Sequence, residues 1–302
     1  MPACKKLKKK IMKLIKHGKN VHELILKKGH DKIAMLSDIH WDNPKCDWAL
    51  LTKHLDFCKE HEIPVMVNGD FFCLMQGKGD RRANKSDIRP EHNNAKYLDS
   101  IIETAVEFFK PYADILTVLG YGNHETAIIK WQETDILQRF VDILNYECKS
   151  NVQTGGYGGW LVLKREFGGN KVFPFRVKYF HGSGGGGVVT KGALNLTRAL
   201  EMYEGCDVFT MGHIHENSAR NDVREDLRHS PKIGYKIEHK YIHSMITGTY
   251  KEEYGDGSKG WHVERGAPVK PIGGRLMTLG VERARTNGED TIKKWVDSKR
   301  LI

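Results

Sequence analysis

Short apolar runs in this chain repeatedly stop at loops of glycine with aspartate, asparagine or histidine, and that rhythm limits the folds available. Residues 32–36 end at Ser37-Asp38, and residues 63–67 end at Asn68-Gly69-Asp70. Residues 115–119 end at Gly120-Tyr121-Gly122-Asn123-His124, and residues 206–211 end at Gly212-His213-Ile214-His215. Helical periodicity over 46–61, 93–109 and 131–144 separates the first three runs. This βαβαβ alternation predicts an α/β arrangement with largely parallel strands. The second half reads differently. Residues 159–166 and 172–180 look like consecutive strands, the latter ending at His181 and the glycine-rich loop 182–187. A helix is expected over 191–204 and β-type stretches over 219–280. Residues 71–91 read as an ordered loop insertion.

Charge divides the chain as well. Residues 1–28 hold ten lysines against a single acid, Glu23, and so carry +9 of the net +10. The remainder is close to neutral. Leu7, Ile11, Leu14 and Ile15 recur at helical spacing, His17-Gly18 looks like a stop, and Asn20 is placed to cap a second short helix through Leu26. The expectation is a lysine-rich helical arm over residues 1–30, followed by one domain over 31–302. The arm could be half of a helix-turn-helix, a phosphate-binding extension or a solvated helix.

Hydrophobic residues at 39% and charged residues at 28% fit a globular chain able to bury a core. No apolar run reaches bilayer length, and lysines interrupt every apolar stretch near the N-terminus. Cytoplasmic residence without a membrane partner is the default expectation. The six cysteines are scattered with no C-x-x-C pair, which points to reduced, mostly buried thiols rather than a disulfide framework.

In open α/β sheets, ligands gather beyond the carboxyl ends of the strands. Asp38, His40, Asp70, Asn123, His181, His213 and His215 would then reach one rim. Taken singly, Asp38 could cap a helix, Asn123 could shape a turn, and His213 and His215 could face core and solvent. Together they form a mixed carboxylate, imidazole and amide set that suits Mn²⁺, Zn²⁺ or Fe better than Ca²⁺ or Mg²⁺.

The blocks Asp38-Ile39-His40, Gly69-Asp70, Gly122-Asn123-His124-Glu125, His181 and Gly212-His213-Ile214-His215 resemble, in order, the signature of the calcineurin-like metallophosphoesterase superfamily (D-x-H, G-D, G-N-H-[DE], H, G-H-x-H). The resemblance spans residues 31–250. It implies a metallophosphoesterase-type β-sandwich flanked by helices (αββα), here with a short basic helical N-terminal extension. It further implies two divalent transition-metal ions. Mn is the first expectation, with Zn, Fe and Ni as alternatives. By the same resemblance Asp38, His40 and His215 would hold one metal, Asn123, His181 and His213 the other, and Asp70 would bridge them. A metal-bound hydroxide would be the nucleophile, His124 would protonate the leaving oxygen, and Glu125 would orient His124. Arg81 and Arg82 in the insertion and Trp41 beside His40 are candidate substrate contacts. The second block departs from the G-D-x-x-D-R-G of protein phosphatases. That departure takes support from a protein-phosphatase reading; the lysine-rich arm makes a phosphodiesterase acting on nucleic acid the leading reading, with DNA or RNA as partner. A hydrolase for small nucleotides and a non-catalytic metal-binding scaffold remain as alternatives. The oligomeric state is not encoded in any motif.

Overall fold

The computed structural model describes residues 12–75, 87–167, 171–230, 234–259, 261–286 and 289–301. The expected N-terminal helices are corrected at once. Strands β1 (Met12–Gly18) and β2 (Val21–Leu26) form an antiparallel hairpin. The reason is a period of two within β2: His22, Leu24 and Leu26 are buried, and the residues between them are less so. Burying each leucine is worth about 1.5–3 kcal/mol, enough to override the helical spacing of Leu14 and Ile15 and the cap expected at Asn20. Leu7 and Ile11 lie outside the described residues.

The alternating half follows the sequence closely. β3 (Lys32–Leu36), α1 (Trp48–Glu60), β4 (Val65–Asn68), α2 (Tyr97–Phe109) and β5 (Leu116–Gly120) come in turn. Asp47 caps α1 by accepting from the Leu50 amide at 2.9 Å. The helix expected over 131–144 is two helices, α3 (Asn123–Gln132) and α4 (Ile136–Cys148). The chain breaks between them at Glu133, whose φ is +53°, and Asp135 caps the second. A short β6 (Gln153–Thr154) follows.

β7 (Gly158–Glu166) and β8 (Val172–Phe180) form the expected hairpin, and α5 (Ala193–Leu200) and β9 (Val208–Met211) follow. Two long hairpins then appear. β10 (Asn217–Ser230) pairs with β11 (Gly234–Thr247) and, after the short α6 (Trp261–Glu264), β12 (Arg275–Thr286) pairs with β13 (Glu289–Arg300). The last hairpin was not anticipated.

The strands form two sheets, ordered β13-β12-β3-β4-β5-β6 and β1-β2-β7-β8-β9-β11-β10. Ile33, Met35, Met66 and Val118 of the first meet Leu24, Leu161, Phe175, Val177 and Val208 of the second in one buried core. The other face of the first sheet, through Ala34, Leu36, Val65 and Val67, is covered by α1, α2 and α4. The outer face of the second, through Phe209, Met211 and Ile246, is covered by Leu196, Ala199 and Leu200 of α5. The layers are thus helix, sheet, sheet, helix. Strands covered on both faces are largely apolar, which is why β3 to β5 read as mostly apolar runs; the buried Thr117 hydroxyl of β5 is satisfied by donating to Val65 O at 2.7 Å. β2 sits inside the second sheet beside β7, so the described part of the basic arm belongs to the sandwich.

Candidate metal centre

β3, β4 and β5 run parallel, as do β8, β9 and β11. Their carboxyl ends deliver loops to one rim, and backbone bonds lace those loops together. The Asp38 amide donates to Gly69 O at 3.0 Å, the His40 amide to Asp70 O at 3.1 Å, and the Gly212 amide to His181 O at 2.9 Å. Two signature glycines have a steric cause. A Cβ on Gly122 would stand 2.0 Å from Asp70 Oδ1, and one on Gly212 would stand 2.6 Å from Asp38 Oδ2.

Five of the seven candidate ligands hold left-handed backbone: Asp38 and His40 at φ +50°, Asp70 at +46°, His213 at +70° and His215 at +56°. Such conformations cost about 1–3 kcal/mol each for residues with a side chain, and they persist where the surroundings enforce them, as at functional sites. The sequence carries no sign of this strain.

The side chains gather in two groups. Ligand atoms of Asp38, His40 and His215 lie within 4.8 Å of one another, as do those of Asp70, His181 and His213. In the first group His40 Nε2 faces His215 Nε2 at 3.3 Å, and His215 Nε2 is 3.4 Å from Asp38 Oδ1. In the second, His181 Nε2 is 3.3 Å from Asp70 Oδ2, and Asn123 Oδ1 is 2.8 Å from His213 Nδ1 and 3.2 Å from His181 Nε2. Bonds of about 2.0–2.2 Å to a cation place neighbouring ligands roughly 3.0–3.5 Å apart. The separations observed here match that edge, and the donors are buried oxygens and imidazole nitrogens. The residues therefore fit the divalent cations that the donor set implies.

Electrostatics agree. Burial, then His124, pushes His40 well below the ordinary imidazole value, and burial and His181 lower His213. Burial opposes protonation of His181, yet Asp70 carries it up to about 10. Asp70, in turn, would rise on burial but is held well below its usual range by His181 and His124. The pair thus attracts a proton, which a bound cation would displace.

His124 follows Asn123 at the start of α3. Its amide donates to Asp70 Oδ1 at 3.0 Å, its Nδ1 meets the Cys73 carbonyl, and its Nε2 stands 3.8 Å from Asp70 Oδ2. The expectation that Glu125 orients this ring is corrected. Glu125 is the third residue of α3 and folds back in the manner of a capping box. Its carboxylate accepts from the amides of Gly122 at 2.8 Å, Phe72 at 2.9 Å and Asp70 at 3.2 Å. It therefore sets the loop of Asp70 against the loop of Asn123. Burial and the charge of Asp70 raise it to about 8, against the pull of those amides.

Trp41 is also corrected. Its ring is buried among Phe108 and Phe109, and Arg89 stacks over it at 4.7 Å and over Trp48 at 4.3 Å, so it presents no platform for a base. Arg81 and Arg82 lie outside the described residues. Sequence reasoning missed three groups after β11. Glu253 Oε2 is 3.7 Å from His215 Nδ1 and 3.1 Å from His262 Nε2, and Glu253 Oε1 is 2.7 Å from Lys251 Nζ. Little signal was present: His243 and Ser244 interrupt Ile242, Met245 and Ile246, and only the pairing with β9 shows this strand ending at Thr247-Gly248 on the same rim.

The calcineurin-like phosphoesterase family model matches residues 31–217. The chain belongs to the calcineurin-like phosphoesterase family. It is accordingly a metal-dependent phosphoester hydrolase, and the family uses divalent metal ions. No curated protein matches it. Among solved structures it is similar to Vps29 of Chaetomium thermophilum, at 11% identity and a TM-score of 0.32, covering 90% of this chain and 100% of that one. No described helix of this phosphoesterase is long and apolar enough to cross a membrane.

Proposed function

We propose that this phosphoesterase hydrolyses phosphodiesters of nucleic acid at a dinuclear centre. Asp38, His40 and His215 would hold one cation, Asn123, His181 and His213 would hold the other, and Asp70 would serve both. The observation that carries the reading is the meeting of two ligand groups, at coordination spacing, on strained loops at one rim. Mn²⁺ is the proposed metal for both positions. When bound, such a pair supplies Lewis acidity and brings the pKa of an attacking water to about 7.

The chain's own residues do the rest. A water oxygen bonds to phosphorus as the bond to the leaving oxygen breaks, and that oxygen needs a proton. With Nδ1 committed to the Cys73 carbonyl, protonated His124 offers Nε2–H to it. Lys251, held by Glu253 and raised by the nearby Cys73 and Glu253 against burial, stays cationic beside the rim and favours an anionic substrate. The lysines of residues 1–28 supply the affinity for a polyanion.

A second reading, hydrolysis of a small nucleotide, has its own support. A cleft of about 520 Å³ is lined by Thr190, Lys191, Ser218, Lys270 and Glu216, the residue that follows His215 in the chain, and it is a nucleoside-sized space. The test is a screen of the Mn²⁺-reconstituted full chain on bis(p-nitrophenyl) phosphate, monoesters, cyclic nucleotides and single- and double-stranded DNA. A variant with Lys5, Lys6, Lys8, Lys9 and Lys10 changed to Gln is run beside it. Loss of DNA cleavage with the small diester still hydrolysed supports the nucleic-acid reading. Unchanged DNA cleavage, or turnover confined to small nucleotides, moves the assignment to the second. No turnover of any ester with Mn²⁺, Zn²⁺, Fe²⁺ or Ni²⁺ defeats both.

A further inference from the structure

The hairpin of β10 and β11 outruns the sandwich. At its base the inner face is covered: Met245 is buried in the core between the sheets, and His243 Nε2 meets Ser298 Oγ of β13 at 2.7 Å. Further out the same face is open. Val223, Leu227, Tyr235, Ile237 and Tyr241 are 53%, 65%, 74%, 61% and 67% exposed. Isolated apolar residues on a surface are ordinary, but five on one face of a two-stranded ribbon make a patch. Register confirms that they are neighbours, since Val223 pairs with Tyr241 and Leu227 with Ile237.

β10 is also the last strand of its sheet, and among the described residues no strand pairs with its outer edge. Exposed edges are usually blunted by lysine, proline or shortness. Over residues 217–229 this edge has no lysine and no proline, and the strand is 14 residues long. Its even-numbered positions alternate in sign: Arg220, Asp222, Arg224, Asp226, Arg228. Read backwards, the series is complementary to itself once shifted by one position.

We propose that two copies of this chain join through their β10 edges, antiparallel about a two-fold axis at Val223, into one continuous sheet. This register brings Arg220 opposite the partner's Asp226 and Asp222 opposite the partner's Arg224, each contact made twice. Within one copy the charges already pair along the strand, Arg220 with Asp222 at 3.1 Å and Arg228 with Asp226 at 3.3 Å. Across the axis they gain cross-strand partners. The open face becomes a set of apolar rows. Tyr241 and Val223 run on into the partner's Val223 and the partner's Tyr241. Ile237 and Leu227 run on into the partner's Ala219 and the partner's Met245. The neighbouring register sets Glu225 against the partner's Glu225, and like charges directly opposite are unfavourable. An antiparallel pair of identical strands is isologous, so it closes as a dimer and leaves no growing end.

The experiment uses the full-length chain. Light scattering after size exclusion should give a dimer mass at micromolar concentration. In an antiparallel pair, facing Cα atoms are about 4.5–5.5 Å apart, within the range of roughly 4.4–6.8 Å that a disulfide spans. Mild oxidation of Val223→Cys should therefore yield a covalent dimer, while Glu225→Cys and the unaltered chain yield none. Asp222→Arg should weaken association at least tenfold, and adding Arg224→Asp should restore it, with circular dichroism checking that both variants are folded. A monomer at tens of micromolar overturns the proposal. So does cross-linking through Cys at 225 in place of 223, or a double variant as monomeric as the single one.

Discussion

His215 is a sensitive place to measure the strain in the rim. Its φ is +56°, and its side chain is 16% exposed. Two variants, His215→Ala and His215→Gly, remove the imidazole equally and differ only in the Cβ. At ordinary negative φ, alanine is the more stable of the two by about 0.4–1 kcal/mol, because glycine's unfolded chain has more freedom to lose. At positive φ the Cβ crowds the following carbonyl, at about 1–2 kcal/mol. The order should therefore invert, with the Gly variant ahead by about 1 kcal/mol. In a domain of this size that separates the melting temperatures by roughly 2–4 °C. Thermal unfolding is measured with a chelator present, so that loss of a proposed metal ligand does not enter. The control pair is Glu103→Ala and Glu103→Gly on the exposed face of α2, where alanine should lead by about 1 kcal/mol. Neither variant at 215 should regain activity. If the Ala variant at 215 is as stable as the Gly variant, the strain argument fails, and with it the claim that the rim is held in a costly conformation.

The remaining expectations concern protons and ligand support. His124→Gln should lower kcat by about 10²–10⁴-fold with metal content unchanged, and by less for a substrate whose leaving group needs no proton. Full activity on an alkyl diester would remove His124 from the mechanism. Glu253→Ala frees the Nδ1 side of His215 and should weaken metal affinity about 10–100-fold, with Glu253→Gln in between. Equal affinities by metal titration would make Glu253 a bystander. Stability of the chelated protein should fall as pH rises from 7 to 9. His181, raised to about 10, contributes stability that is complete below 6.5 and lost toward 10, and Glu125, raised to about 8, loses its proton more readily unfolded, so stability falls between 4.5 and 8. A chelated sample that is more stable at pH 9 than at pH 7 would contradict both shifts.

The layers and the rim could be read in the sequence because both follow from short-range patterns. Each of β3, β4 and β5 is an apolar run too short for a helix, and each ends where a polar loop must begin. What escaped depends on contacts far apart in the chain. β2 is a strand because Leu24 pairs with Leu163, and apolar residues at helical spacing with a cap at Asn20 gave no hint of that partner. α3 begins at Asn123, a residue that reads as part of a loop, because Glu125 folds back onto the Gly122 amide. Glu253 became relevant only when β11 proved parallel to β9, which aimed its end at the same rim.

The two histidine-bearing motifs show why the site can tolerate its strain. In Asp38-Ile39-His40 and in His213-Ile214-His215 the outer residues are left-handed and the middle one is not. That alternation turns two ligands toward the rim and sends the isoleucine the other way. Ile39 is buried in the core under α1, α2 and α4, while Ile214 is buried in the core under α5. Each isoleucine contributes about 1.5–3 kcal/mol of burial, which offsets about half of the roughly 2–6 kcal/mol for the two strained residues beside it. The first ligand group, drawn from both motifs, is therefore pinned from both outer helical layers at once. The metal site and the two outer cores cannot be varied independently, and loosening either isoleucine would let the ligands fall back to ordinary backbone before any ligand was changed.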